Sequence, residues 1–175
     1  MNEIRPRDYR PYLLLLSAMV IVLDRITKIW VTKHIELGSA IPIIPRVFRI
    51  SHVLNNGAAF SLFADSVSPE RVRWILIAFS IIAAIAVFVF VLRMGQRLTP
   101  TTVALSLVLA GALGNLYDRI RFASVVDFLE VHIGTYHWPD FNVADSAIVI
   151  GGCLLLLDAF RVGPSSAAEP EPEQG

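Results

Sequence analysis

Apolar residues collect into four long runs along the chain instead of recurring at helical or strand period, and the pattern predicts four membrane-spanning helices. The runs cover about Tyr12–Val31, Trp74–Leu92, Thr101–Leu116 and Val143–Phe160. The second holds no charge and, at about 1.5 Å per residue, is long enough to cross a hydrocarbon core ~30 Å thick. The third is the shortest. The fourth carries Asp145 and Asp158 near its two ends. The stretch between the first two runs, about Thr32–Arg73, has a pattern of its own. Val47–Leu54 alternates apolar and polar residues like a half-buried strand, Asn56-Gly57 is a hairpin-turn pair, and Ala58–Phe63 can form the return strand. Ser68-Pro69-Glu70 is a helix start, with Ser as N-cap and Pro in the first turn. A small β element is therefore expected on the outer surface, over about residues 40–65.

Composition supports this pattern. The chain is 55% hydrophobic and only 17% charged, where a soluble domain carries roughly a quarter charged residues. Mean hydropathy is +0.61. The formal net charge is zero, so no basic surface points to nucleic acid. The single cysteine, Cys153, lies in an apolar run and can form no intrachain disulfide. Residues 1–162 read as a single integral membrane domain, and 163–175, rich in Pro, Glu, Ser and Ala, as a disordered cytoplasmic tail.

Orientation follows from the arginines. Arg5, Arg7 and Arg10 flank the first span, and with both termini inside the inner segments are the shorter, so their positive charge is denser. The polar segments around Asp127 and Asp145 then face outward. Arg5–Leu23 also resembles the start of a secretory signal, but Asp24, Arg25 and Lys28 separate the apolar run from the small residues at Gly38–Ala40, which argues against cleavage.

Several polar residues fall at membrane level, where a carboxylate is costly unless paired or used. Asp24 and Lys28, four apart, share a helix face. They form either a local ion pair with Lys28 reaching to the interface or part of a polar site. Gly111, Asn115 and Asp118 share a face of the third span, and Ala110, Gly111, Ala112 and Gly114 let another helix come close. Asp118 reads as a partner of Arg119. Asn115 is less well explained by packing, because an amide in a span must find partners. Asn142 is an N-cap or a site residue. Asp145 is a dipole-favoured residue of a first turn or a catalytic group. Asp127 sits in an interfacial amphipathic stretch facing water, or forms a shared-proton pair with Asp145. His132 and His137, with Glu130 and Asp140 nearby, do not share a helix face, so no metal is expected there. Tyr136, Trp138 and Phe141 read as interfacial aromatic anchors.

Five segments in order carry a family resemblance: Asp24-Arg-Ile-Thr-Lys28, Asn55-Asn-Gly-Ala-Ala-Phe60, Gly111-Ala-Leu-Gly-Asn-Leu-Tyr-Asp-Arg119, Val125-Val-Asp-Phe128 and Trp138-Pro-Asp-Phe-Asn-Val-Ala-Asp145. Together they resemble lipoprotein signal peptidase, or signal peptidase II, a family of bacterial inner-membrane aspartic proteases. The resemblance covers nearly all of Tyr12–Phe160. Arg25 stands where glutamine is common in the family and Trp138 where phenylalanine is frequent. The resemblance implies four transmembrane helices, an outer β-cradle and a short outer helix. It implies Asp127 and Asp145 as the catalytic pair, with Asp24, Lys28, Asn55, Gly111, Asn115, Arg119, Asn142 and Ala144 lining the site. The implied substrate is a prolipoprotein whose lipobox cysteine carries diacylglycerol, cut just before that cysteine. Membrane lipid is the expected surrounding, a monomer the expected state, and no cofactor or metal is expected. A small proton- or ion-conducting protein using the same aspartates is the alternative, although four unrepeated spans suit alternating access poorly.

Overall fold

The protein is described by a computed structural model over residues 7–57 and 68–161. Among the described residues, four long helices and four strands follow in the order α1 (Arg10–His34), β1 (Ala40–Ile44), β2 (Phe48–Asn55), α2 (Pro69–Met94), α3 (Pro100–Phe122), β3 (Val125–Ile133), β4 (Tyr136–Phe141) and α4 (Val143–Arg161). Helices α2, α3 and α4 are long and apolar enough to cross a membrane by length and composition. Helix α1 is as long, at 25 residues, but carries Asp24, Arg25 and Lys28 in its C-terminal half. On α2 only Ile77, Ala84 and Val91 among the apolar side chains are buried, and most of the others point outward. Phe79 is 70% exposed and Ile82 69%, as lipid-facing residues are.

Helix α3 is the hub, packing against α1, α2 and α4. Its start is closed by a capping box in which Thr99 and Thr102 satisfy each other's backbone N–H. Small residues let α4 come close. A Cβ on Gly111 would lie 2.2 Å from the Ala144 carbonyl oxygen, and one on Gly151 would lie 2.7 Å from that of Ala104. Ser17 Oγ donates to the Ser106 carbonyl at 2.8 Å and ties α1 to the same hub. Helix α3 is longer than the apolar run predicts, because its last turns contain Asp118, whose charge is neutralised inside the protein and not at an interface. Near the other end of the bundle, Thr101 hydroxyl donates to Asp158.

The four strands form one antiparallel sheet in the order β1-β2-β3-β4. Strand β2 is the expected strand Val47–Leu54, and its partners are β1 on one side and β3, from much later in the chain, on the other. The expected return strand Ala58–Phe63 and the expected tail lie outside the described residues, and no short outer helix is found among the described residues. Gly57 has φ +92°, the left-handed backbone that the Asn56-Gly57 turn calls for. The stretch around Asp127, for which a water-facing amphipathic segment was one of the two readings, is a central strand, and Asp127 is 2% exposed. One sheet face packs on the end of α1, where Val31, Ile35 and Phe128 form a small core. The sheet therefore sits at the end of the bundle where α1 stops and α4 begins.

Candidate active site

The site forms where β3 meets the first turn of α4. Asn142 precedes that helix and caps it: its Oδ1 accepts from Asp145 N at 2.9 Å, and Asp145 Oδ2 accepts from Asn142 N at 3.3 Å. The same Asn142 uses its Nδ2 to donate to Asp127 Oδ1 at 2.7 Å. The cap and site readings of Asn142 are thus one arrangement, with one amide residue hydrogen-bonded to both aspartates. Asn115 of α3 donates to Asp145 Oδ1 at 2.8 Å, and Asn55 at the end of β2 donates to Asp127 Oδ2 at 2.9 Å. Asn55 Oδ1 in turn accepts from Gly57 N at 2.8 Å, so the turn after β2 sets the angle of that amide. Each carboxylate is held on both oxygens by groups from separate elements.

Behind the aspartates lies a buried ion network. Lys28 Nζ is 2.7 Å from Asp24 Oδ2 and 2.7 Å from Asp118 Oδ2, and donates to Asn115 Oδ1 at 3.2 Å. Lys28 is 1% exposed, which corrects the reading that it reaches to the interface. Asp118 pairs with Lys28 and with Arg25, at 2.5 Å, and not with Arg119 as the sequence suggests. The Arg25 guanidinium also lies over the Tyr117 and Phe122 rings, at 5.0 and 5.2 Å. Arg25 is a structural residue that sequence reasoning missed, since its partner is on another helix and leaves no local spacing signal. Asp24 Oδ1 accepts from Ala144 N at 3.0 Å, so a side chain of α1 satisfies an open N–H in the first turn of α4. Gly111 and Gly114 keep this contact free of side chains, and a Cβ on Gly114 would lie 3.1 Å from Asp24 Oδ2.

The electrostatics bear on Asp127. Burial raises the Asp127 carboxyl to about 6, and the charge of Asp145 adds to the rise, while hydrogen bonds from Asn55 and Asn142 and the charge of Lys28 oppose it. Arg119 is half-buried, feels the charges of Asp145 and Asp127, and makes no hydrogen bond or ion pair among the described residues. Its guanidinium is available to a ligand. Asp145 lines two clefts. One, about 350 Å³, has Arg119 and Asn115 at its polar end and Leu76, Phe79 and Ile148 along its apolar wall. The other, about 570 Å³, lies between Asn55, β4 from Trp138 to Phe141 and Val149 and Ile150 of α4. A third cleft, about 410 Å³, lies between the end of α1 and β2 and touches neither aspartate. All ten residues singled out in the sequence thus belong to one constellation: nine are joined through it by hydrogen bonds, ion pairs or close backbone contact, and Arg119 through the cleft and its charge.

Residues 16–161 match the family model described as Signal peptidase (SPase) II. The chain belongs to the signal peptidase II family. Members of that family are aspartic-type proteases, in keeping with a pair of carboxylates at the centre of the site. Among curated relatives, the lipoprotein signal peptidase of Geobacter metallireducens is 46% identical over 147 residues, 84% of this chain and 89% of the relative. That of Syntrophotalea carbinolica is 43% identical over 155 residues, 86% of this chain and 92% of the relative. A bacterial membrane enzyme structure determined by the in meso method at 1.9 Å resolution matches with a TM-score of 0.80 at 29% identity, over 93% of this chain and 100% of that one. A second, at 2.3 Å, matches with a TM-score of 0.79. The likeness to these membrane enzymes thus extends over nearly the whole chain.

Proposed function

We propose that Asp127 and Asp145 are the catalytic pair and that the substrate is a diacylglyceryl-modified prolipoprotein, cut just before its lipidated cysteine. As a signal peptidase II, the chain removes signal peptides from prolipoproteins. The observation that carries the catalytic assignment is Asn142, hydrogen-bonded to Asp127 and Asp145 at once beside a strongly buried carboxyl.

In this reading the pair shares one proton, because like charges at short range resist double ionisation. Asp145 takes a proton from water, whose oxygen attacks the scissile carbonyl carbon. Asp127 gives its proton to the carbonyl oxygen, and a tetrahedral diol forms. The diol then collapses: its hydroxyl proton returns to Asp127, the C–N bond breaks, and Asp145 gives its proton to the departing amine of the cysteine. Acid–base assistance of this kind contributes about 10²–10⁴-fold. Asn115, Asn142 and Asn55 hold the carboxylates, and Arg119 binds a substrate backbone carbonyl. The two clefts that meet at Asp145 offer a peptide path along β4 and an apolar wall along α2 and α4 for the acyl chains.

Helix α1 is read as the fourth span. Its charges are internally paired, which lowers the cost of holding them at membrane level. The protein is then a monomer in the bacterial inner membrane, with lipid around it, both termini cytoplasmic and the sheet outside. Residues 1–162 form its one domain. The ion-conduction reading gains nothing from the site, since the charges of α1 and α3 are locked to one another.

The test is cleavage of a purified diacylglyceryl-modified prolipoprotein by Asp127→Asn and Asp145→Asn. Each variant should lose at least about 10³-fold in turnover while keeping the parent's thermal unfolding within a few degrees. Near-normal turnover by either one refutes the catalytic pair.

A further inference from the structure

The β3–β4 hairpin brings together a second cluster of chemistry-bearing side chains, away from the aspartates. His132 and His137 are direct cross-strand partners, and their rings stack at 4.8 Å with 20° between planes. Glu130 lies two residues before His132 on the same strand and hence on the same face. On a helix, His132 and His137 would not share a face. On paired strands the two histidines are neighbours instead.

Both imidazoles aim at one atom. His132 Nε2 is 2.8 Å from Glu130 Oε1, and His137 Nε2 is 3.5 Å from the same oxygen. The three ligand atoms lie within 4.8 Å of one another. A tetrahedral Zn²⁺ site with bonds of about 2.0–2.1 Å needs donor atoms roughly 3.3 Å apart, so small side-chain rotations close the set. Asp140 Oδ2 lies 3.8 Å from His137 Nε2 and offers a further carboxylate beside the group. The carboxylates are also held from behind. Arg49 Nε is 3.2 Å from Glu130 Oε2, and Ser51 Oγ donates to Asp140 Oδ1 at 2.5 Å, so each has its other oxygen turned toward the histidines. Glu130 is only 7% exposed, although His137 opens to solvent. Glu130 Oε1 is the shared neighbour of His132 Nε2 and His137 Nε2. A cation among them satisfies all three ligands at once, and imidazole with carboxylate suits zinc.

We propose that Glu130, His132 and His137, completed by Asp140, form a Zn²⁺ site that clamps β4 to β3. The site is structural and takes no part in the hydrolysis. Its consequence is for stability: it holds the edge strand β4 on the sheet.

The test uses full-length Cys153→Ser protein in detergent, stripped of metal and titrated with Zn²⁺ by calorimetry, so that the exposed thiol cannot bind. One equivalent should bind and raise the thermal midpoint by several degrees. His132→Ala and His137→Ala should each weaken binding by at least about 100-fold, since even losing a residue behind a ligand costs about 10–100-fold. His137→Gln, which keeps the side-chain bulk, should behave the same way. Metal-free parent and His132→Ala/His137→Ala protein should cleave lipidated substrate at the same rate. No stoichiometric binding, or equal binding by the double variant, overturns the site. Cleavage lost on chelation and restored by Zn²⁺ overturns its structural role.

Discussion

Asn55 shows how one side chain sets the chemistry of another. Its amide donates to Asp127 and favours the charged form, yet burial wins and the carboxyl rises to about 6. The sign is direct: Asp127 holds its proton below about pH 6 and loses it above. A mechanism that needs Asp127 as the acid therefore has kcat/KM falling with pH above that value. Asn55→Ala removes a hydrogen bond to the charged form, so the Asp127 carboxyl should rise further and the alkaline limb of kcat/KM should move to higher pH, even as the maximum drops. A limb that stays in place or moves down counts against Asp127 as the acid. Gly57 supports the same amide through its N–H and needs its positive φ to do so.

At the scale of elements, the site depends on how closely α4 approaches α3 and on what fills the gap between α3 and α1. A Cβ on Gly111 meets the Ala144 carbonyl at 2.2 Å, a backbone atom that moves only with the first turn of α4. Asp145 is the next residue. Gly111→Ala should lower kcat/KM by about 100-fold, the cost of an ångström-scale misplacement of a catalytic group. Gly152→Ala on the same helix pair, where a Cβ meets nothing within 4 Å, should leave cleavage unchanged. Equal rates for the two variants would mean that the α3–α4 approach does not set the site. Lys28 is the other element-level device. Replacing it with methionine leaves Asp24 and Asp118 buried with their shared cation gone, and Arg25 reaches only Asp118. Lys28→Met should destabilise the detergent-solubilised protein by about 3–5 kcal/mol, read from its unfolding curve. An unchanged midpoint would show that the network is not what holds α1 to α3.

For the whole molecule, the proposal is four spans with both termini cytoplasmic, and the pairing of the α1 charges supports counting α1 among them. Single cysteines at Ser66 and Ser166 in a Cys153→Ser background test it in intact cells. An impermeant reagent should label position 66 and leave position 166 untouched. The reverse pattern would invert the protein and put the aspartates on the wrong side for this substrate.

The membrane class, the four long helices and the strand at Val47–Leu54 were legible in the sequence, because each shows in a local run or alternation of apolar residues. The candidate residues were legible too: Asp127, Asp145, Asn115 and Asn142 are polar groups at membrane level, where every such group needs a reason. Their partners were not. Lys28 looks like the neighbour of Asp24 at four-residue spacing, yet it also holds Asp118 on another helix. Asp118 looks like the partner of Arg119, yet Arg25 and Lys28 take it. Val125–Val131 gives no sign that it pairs with β2 from the first half of the chain, or that this pairing buries Asp127 against Asn142. His132 and His137 seem badly spaced until the register of two strands sets them face to face. Spacing along the chain reports which residues share a face of one element. Which faces meet is decided by packing between distant segments, where small residues such as Gly111 permit close approach and each buried charge must find its opposite.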